Sequence, residues 1–298
     1  MPSWVFIAII GYFLGALAKV IDKIFLASMV TDVLIFTFWT SLVSLFAVWL
    51  IPFGFEWVEP LTALIAFASG VSFVAFLYFM FLVLKKFEVS RVVPIVAGVA
   101  PFVTLIFSYF FLGEYLGLHG IIAVFLLILG GVVLAVDLSS KNKFQWELLS
   151  ISLVASVFLS AHFVFTKAVF VETTFINGFL WTRAGIVATA ALLLCMPGFV
   201  RRLWHAQMPR PRNVAFFFVN KIIGALSLFA LSLALKRGQA SVVHALGGFE
   251  YILAFILTII FSGFWPKIFA ENKAPEALGV KFLGTLLLAS ALALLYIT

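Results

Sequence analysis

The feature that most constrains this chain is a succession of apolar runs, each about twenty residues long, with little between them. A run of that length with hardly a charge is long enough to cross the hydrocarbon core of a bilayer as a helix. In hydrocarbon every backbone N–H and C=O must be satisfied within its own segment, so such runs cross as helices. On this criterion about ten spans are expected, near 3–26, 33–52, 61–84, 89–112, 118–137, 148–170, 176–197, 213–235, 240–263 and 278–297. The longest connections, Gly198–Asn213 and Gly263–Ala277, are polar, contain proline and leave no room for a soluble domain. Composition agrees: 10% of residues are charged, against about 25% in a soluble domain, where charge must cover the surface. The expected fold class is all-α integral membrane.

The net charge of +7 does not point to nucleic acid, because most Lys and Arg residues sit between apolar runs, where basic residues set topology. The single cysteine, Cys195, allows no intramolecular disulfide and no cysteine-based metal site. The opening residues lack a basic leader and a small-residue cleavage site, so they read as a retained first span.

The stretch from Leu84 to Val136 organises the rest. It holds a basic hinge, an apolar segment broken by Pro94 and Pro101, a Gly113-Glu114 turn and a Gly-rich apolar segment. A weaker copy begins at Ala234, and other matches recur at an offset of about 140–150 residues. Phe38-Trp39-Thr40 is echoed by Leu180-Trp181-Thr182, and Asp22-Lys23 by Thr166-Lys167. Lys86-Phe87-Glu88-Val89-Ser90-Arg91-Val92-Val93 is echoed by Lys236-Arg237-Gly238-Gln239-Ala240-Ser241-Val242-Val243. Three matches in one order indicate an internal repeat of five-span units. An odd number of spans per unit makes the second cross the bilayer in the opposite sense. Inverted repeats of this kind are a common construction of secondary transporters, with the substrate site at the repeat interface.

Basic hinge, Pro-containing span, Leu112-Gly113-Glu114 turn and the Gly-rich span Gly130-Gly131-Val132-Val133-Leu134 together resemble the EamA-type domain of the drug/metabolite transporter superfamily. The resemblance covers nearly the whole chain as two units, 1–138 and 145–298, and is strong for the first. The second departs from it after Ser262, where a longer segment replaces the Leu-Gly-Glu turn. The resemblance implies a ten-helix carrier of small metabolites or drugs, often an exporter. It does not imply one substrate.

Ionisable groups at membrane depth are costly unless paired or hydrated, so each is a functional candidate. Glu250 lies about 15 Å into the ninth span at 1.5 Å per residue, beside Gly247 and Gly248. It suits proton coupling or amine binding, or a carboxylate tied to Lys221 or Arg183 for assembly. Its repeat equivalent is Ala100, so any such role is asymmetric. Lys221 lines a cavity or snorkels to the interface. It stands beside a stripe of Asn220, Gly224 and Ser227 that lines a cavity or packs against a neighbour. Arg183 cannot shed its charge, so burial requires a partner or water. His162 titrates near neutrality or is a packed, hydrogen-bonded residue, and His244 is a relay candidate for Glu250.

Lys19, Asp22 and Lys23 share one helix face and can pair among themselves. Lys23 and Lys167, near span ends, read as snorkelling residues. Trp39 and Trp181 are pocket-wall or packing residues, and Pro94, Pro101, Gly247 and Gly248 are hinge candidates.

Together these features predict about ten helices as two inverted five-helix repeats around a central cavity. The partners expected are a small-molecule substrate, the lipid bilayer and protons, for a monomer or homodimer in a bacterial or archaeal inner membrane. Lys221 and Arg183 against Glu250 favour a carboxylate or zwitterionic head. No P-loop, zinc motif or catalytic triad is present, so no enzyme, cofactor or metal is expected. Basic residues concentrate in the odd-numbered loops, which puts both termini outside. Two rivals remain: a flippase of lipid-linked substrates with a lateral opening and a basic site at Arg183 and Lys167, and a non-transporting scaffold with a closed cavity and Glu250 fully paired.

Overall fold

In the computed structural model the described residues are 3–28, 32–87, 89–115, 117–135, 146–206, 211–266 and 268, with 283, 284, 286, 287, 290, 291 and 294. They form helices joined by short connections, with no strand among them. Helix α1 (Ser3–Ser28) is followed by α2 (Val33–Leu42), capped by Asp32, whose carboxylate accepts from Leu34 N at 2.8 Å and Ile35 N at 3.4 Å. The chain then tightens into a 3-10 helix, Val43–Phe53, much longer than the usual three or four residues. It stops at Gly54, whose φ of +147° favours glycine.

α3 (Pro60–Lys86) starts with proline in its first turn, where the missing N–H costs nothing. α4 (Val89–Leu112), α5 (Leu118–Ala135), α6 (Trp146–Glu172) and α7 (Phe175–Leu193) follow. A short α8 (Phe199–His205) occupies part of the connection that reads from sequence as polar loop, and α9 (Pro211–Arg237) comes next. The expected ninth span is two helices, α10 (Ala240–Ala245) and α11 (Gly248–Ser262), separated by a turn at Leu246 and Gly247. α4, in contrast, runs through Pro94 and Pro101 without a break; the Pro94 side chain lies outside the described residues. The expected tenth span falls largely outside them too.

Seven described segments are long and apolar enough to cross a membrane: Ser3–Ser28, Val33–Phe53, Pro60–Lys86, Trp146–Glu172, Phe175–Leu193, Asn213–Arg237 and Ala240–Ser262. α4 adds an apolar stretch over Gly98–Leu112. The chain is a multi-pass membrane protein.

α1 packs along α9 and α11, α3 along α6 and α7, and α4 against α5, α6, α10 and α11. The α3–α7 contact depends on glycine. A Cβ on Gly70 would stand 2.5 Å from Ile186 N, and one on Gly185 would stand 2.9 Å from the Ala66 carbonyl carbon. Small residues there bring two backbones together, which substitutes for the missing hydrophobic drive between helices in lipid. The Leu-Gly-Glu turn also has a packing role. Gly113 adopts φ +63°, and the Glu114 carboxylate accepts from Ala240 N at 2.9 and 3.1 Å, capping α10 in the other half of the chain.

Candidate functional site

Between the helices lies a cavity of about 540 Å³, lined from each of the helices described above except α5 and α8. Its wall combines Tyr12, Lys19 and Asp22 of α1, His162 and Phe163 of α6, Arg183 of α7, Asn220 and Lys221 of α9, and His244 and Glu250 of the broken pair α10–α11. The 3-10 segment adds Ser44, Phe46 and Leu50. Phe46, Ile222, Leu226 and Phe229, from the 3-10 segment and α9, line the cavity and are exposed.

Four charges on this wall are matched in pairs. Lys19 bonds Glu250, joining α1 to α11. Lys221 bonds Asp22 at 2.6 Å, joining α9 to α1, and Asn220 Nδ2 donates to the same Asp22 oxygen at 2.7 Å. Two expectations are corrected here. Lys19 and Asp22 pair across to other helices rather than with each other, and Glu250 is held by Lys19 rather than by Lys221 or Arg183. Lys221 does not snorkel. It is 5% exposed and its Nζ sits 4.5 Å from the Phe36 ring centre and 5.2 Å from that of Phe217.

The polar stripe on α9 serves both readings. Asn220, Gly224 and Ser227 line the cavity and pack α9 on α1, where Ser227 Oγ donates to Gly11 O at 2.7 Å. Gly15 allows this approach, since a Cβ there would be 3.1 Å from both Glu250 Oε1 and Ser227 Oγ.

Arg183 differs from the other cations. It is 3% exposed, its Nε and Nη2 have no hydrogen-bond partner, and it forms no ion pair among the described residues. Its Cζ lies 4.9 Å from the Phe179 ring centre and 5.8 Å from that of Phe73. Rings near a guanidinium attract it through the quadrupole but offer its N–H groups no acceptor.

His162 Nδ1 lies 3.1 Å from Ser69 O and 2.9 Å from Ser69 Oγ. His244 Nδ1 contacts Thr104 Oγ1 at 2.5 Å, and its ring stacks on Phe163 with centroids 4.1 Å apart. Tyr12 donates its hydroxyl to Val243 O at 2.8 Å, just before the α10–α11 break.

Several other sequence candidates lie elsewhere. Trp181 Nε1 donates to Glu56 O at 3.0 Å within a cluster with Phe55 and Trp57, and Trp39 packs edge-on against Phe38; neither lines the cavity. Lys23 and Lys167 hold helix ends instead of snorkelling. Gly247 is at the cavity in the two-residue turn between α10 and α11, where Leu246 and Gly247 keep right-handed helical dihedrals, and Gly248 begins α11. Pro101 lies within the unbroken α4 and off the cavity. Sequence reasoning missed Lys19, Asp22 and Tyr12 as cavity groups, although charges three residues apart inside an apolar span were the available signal.

Residues 2–136 match the EamA-like transporter family. A search of the curated proteins gave no match. A solved structure described as "Crystal structure of protein" superposes with a TM-score of 0.66 at 17% identity, covering 96% of this chain and 98% of its own. At that identity the likeness concerns the fold.

Proposed function

We propose that the chain is a secondary carrier of a small metabolite, of the drug/metabolite transporter kind, a reading supported by the match of residues 2–136 to the EamA-like transporter family. It is built of about ten helices as two inverted five-helix units, 1–138 and 145–298, and works by alternating access. The substrate is an amino acid, an organic acid or a drug-like solute. Packing supports the repeat: α1 on α9 and α6 on α3 are equivalent pairs under the sequence offset. The observation that carries the reading is the cavity itself. It is large enough for a metabolite, lies between the two halves, and contains matched ion pairs beside an unmatched buried guanidinium. A merely structural core has no reason to leave that group unpartnered, because an uncompensated buried charge is strongly destabilising. The same open cavity weighs against a closed scaffold.

In this mechanism the Lys19–Glu250 and Asp22–Lys221 pairs tie α1 to α11 and α9. Rearranging either pair when substrate or a proton arrives releases α1, and the break at Gly247 lets α10 and α11 move separately. The test is flux of radiolabelled metabolite classes into proteoliposomes. Saturable, protein-dependent uptake is expected, reduced at least about tenfold in Arg183→Gln, the size of effect for loss of a charged hydrogen bond. Absence of flux for every class would reject the carrier.

The exposed apolar residues Phe46, Ile222, Leu226 and Phe229 on the cavity wall favour a second reading, entry of an amphiphilic or lipid-linked substrate from the bilayer. The basic site expected for it does not include Lys167, whose Nζ donates to Leu235 O at 2.9 Å and Gly238 O at 2.7 Å.

A further inference from the structure

We infer that the ligand of the cavity is a monoanion with an apolar body of about ring size, its carboxylate paired with the Arg183 guanidinium. The inference rests on the carrier reading of the same cavity and narrows it, because the charges on the wall distinguish between the heads a small metabolite can carry.

Among the described residues three cations line the cavity, Lys19, Lys221 and Arg183, and two carboxylates, Asp22 and Glu250. Each carboxylate has a lysine, Glu250 with Lys19 and Asp22 with Lys221. With the histidines neutral, the wall is left one positive charge in excess, and Arg183 is the group that has no counter-ion among the described residues. A monoanion cancels that excess. A dianion overshoots it. A zwitterion brings an ammonium group that finds no carboxylate without first breaking a lysine pair, and a cation faces the same deficit with nothing to offset it. The arrangement selects against an ammonium as strongly as it selects for a carboxylate.

The form of the ligand follows from what surrounds Arg183. Phe73 and Phe179 stand against the guanidinium, and Nε and Nη2 are left without acceptors. An N–H fork of this kind matches two carboxylate oxygens, which a lysine cannot do. Beyond it the wall is apolar, with Phe76, Leu77 and Phe163. A volume of about 540 Å³ is far more than a carboxylate fills, so affinity must come from burying an apolar body.

The test uses the full chain purified in detergent and isothermal titration calorimetry with ligands that share one body. These are 3-phenylpropionate, its amide 3-phenylpropionamide, 3-phenylpropylamine and phenylalanine, with acetate as the head alone. Saturable binding of 3-phenylpropionate is expected, with the other four at least about tenfold weaker. Arg183→Gln, if folded by its thermal unfolding curve, loses at least about tenfold in affinity for 3-phenylpropionate and little for the amide. If that variant does not fold, the ligand series on the unaltered protein decides alone. Phenylalanine or the amine binding as tightly as 3-phenylpropionate would overturn the inference. So would undiminished binding by folded Arg183→Gln, or no 3-phenylpropionate binding up to about 10 mM.

Flux of 3-phenylpropionate above that of protein-free liposomes, measured in parallel, separates the two readings. Binding of 3-phenylpropionate without flux of any metabolite class rejects the carrier and leaves the monoanion site. Flux of phenylalanine or the amine, with no monoanion bound, rejects the site and leaves the carrier.

Discussion

Lys23 and Lys167 make the same contact in the two halves of the chain. Lys23 Nζ donates to Leu84 O at 2.6 Å and Phe87 O at 2.8 Å, at the end of α3; Lys167 Nζ donates to Leu235 O at 2.9 Å and Gly238 O at 2.7 Å, at the end of α9. A helix end leaves carbonyls unsatisfied and carries partial negative charge, so a cation that bonds two of them there acts as a cap. Lys23→Met and Lys167→Met each leave those carbonyls short of a partner. Each is expected to lower stability by about 1–3 kcal/mol. Thermal unfolding in detergent measures it, and an effect in one half alone would argue against equivalent roles.

Asp22 and Lys221 form a buried pair in which either charge alone is costly. Asp22→Asn or Lys221→Met is expected to destabilise by about 3–5 kcal/mol, because the remaining charge is buried without compensation. The double variant recovers most of that loss, since the Met side chain suits the surroundings of Phe36, Phe81 and Phe217. Unfolding midpoints of the two singles and the double complete the cycle, and additive losses would show that the pair is not coupled.

Gly70 and Gly185 hold α3 against α7 at a distance that a methyl group blocks. Gly70→Ala forces a Cβ into the Gly185 backbone, where no side chain can rotate away. A loss of about 2–3 kcal/mol or failure to fold is expected. Gly224→Ala is the control, since its Cβ would meet Ala18 Cβ at an ordinary 3.9 Å. Equal behaviour of the two variants in size-exclusion profile and unfolding midpoint would contradict the close packing.

Span positions were legible because bilayer thickness and hydropathy act locally: α4 begins and ends where its apolar run does, Val89–Leu112. The charges of the site were legible as candidates for the same local reason. Their partners were not. Whether Glu250 meets Lys19, Lys221 or Arg183 depends on which helices are neighbours, and α1 lies beside α11 in space while more than 200 positions away in sequence. The helix break was ambiguous as well. Two prolines in α4 left the helix intact, whereas the Gly247-Gly248 pair coincides with a real turn, where Tyr12 of α1 bonds the Val243 carbonyl. Trp39 and Trp181 occupy matching places along their helices, but matching place says nothing of which face points inward.

Loop charge gives an expected orientation: with basic residues such as Lys85, Lys86, Arg201 and Arg202 on the inner side, both termini are expected outside. In a background of Cys195→Ser, Ser3→Cys is expected to react with an impermeant maleimide added to intact cells, and Ser139→Cys to react only after permeabilisation. Labelling of Ser139→Cys alone in intact cells would reverse the orientation.

Proton coupling through Glu250 is the part of the carrier proposal that a single substitution tests. Glu250 is 4% exposed, lines the cavity beside the α10–α11 break, and holds Lys19 of α1 across the helix interface. Protonation removes the attraction that keeps α1 on α11, and deprotonation restores it. Glu250→Gln imitates the protonated carboxyl permanently. It is expected to keep ligand binding while flux in proteoliposomes stops responding to an imposed pH gradient. Glu250→Asp, which keeps the charge on a shorter arm, retains part of the response. A pH dependence of flux identical in Glu250→Gln and the unaltered protein would exclude this carboxylate as the coupling group.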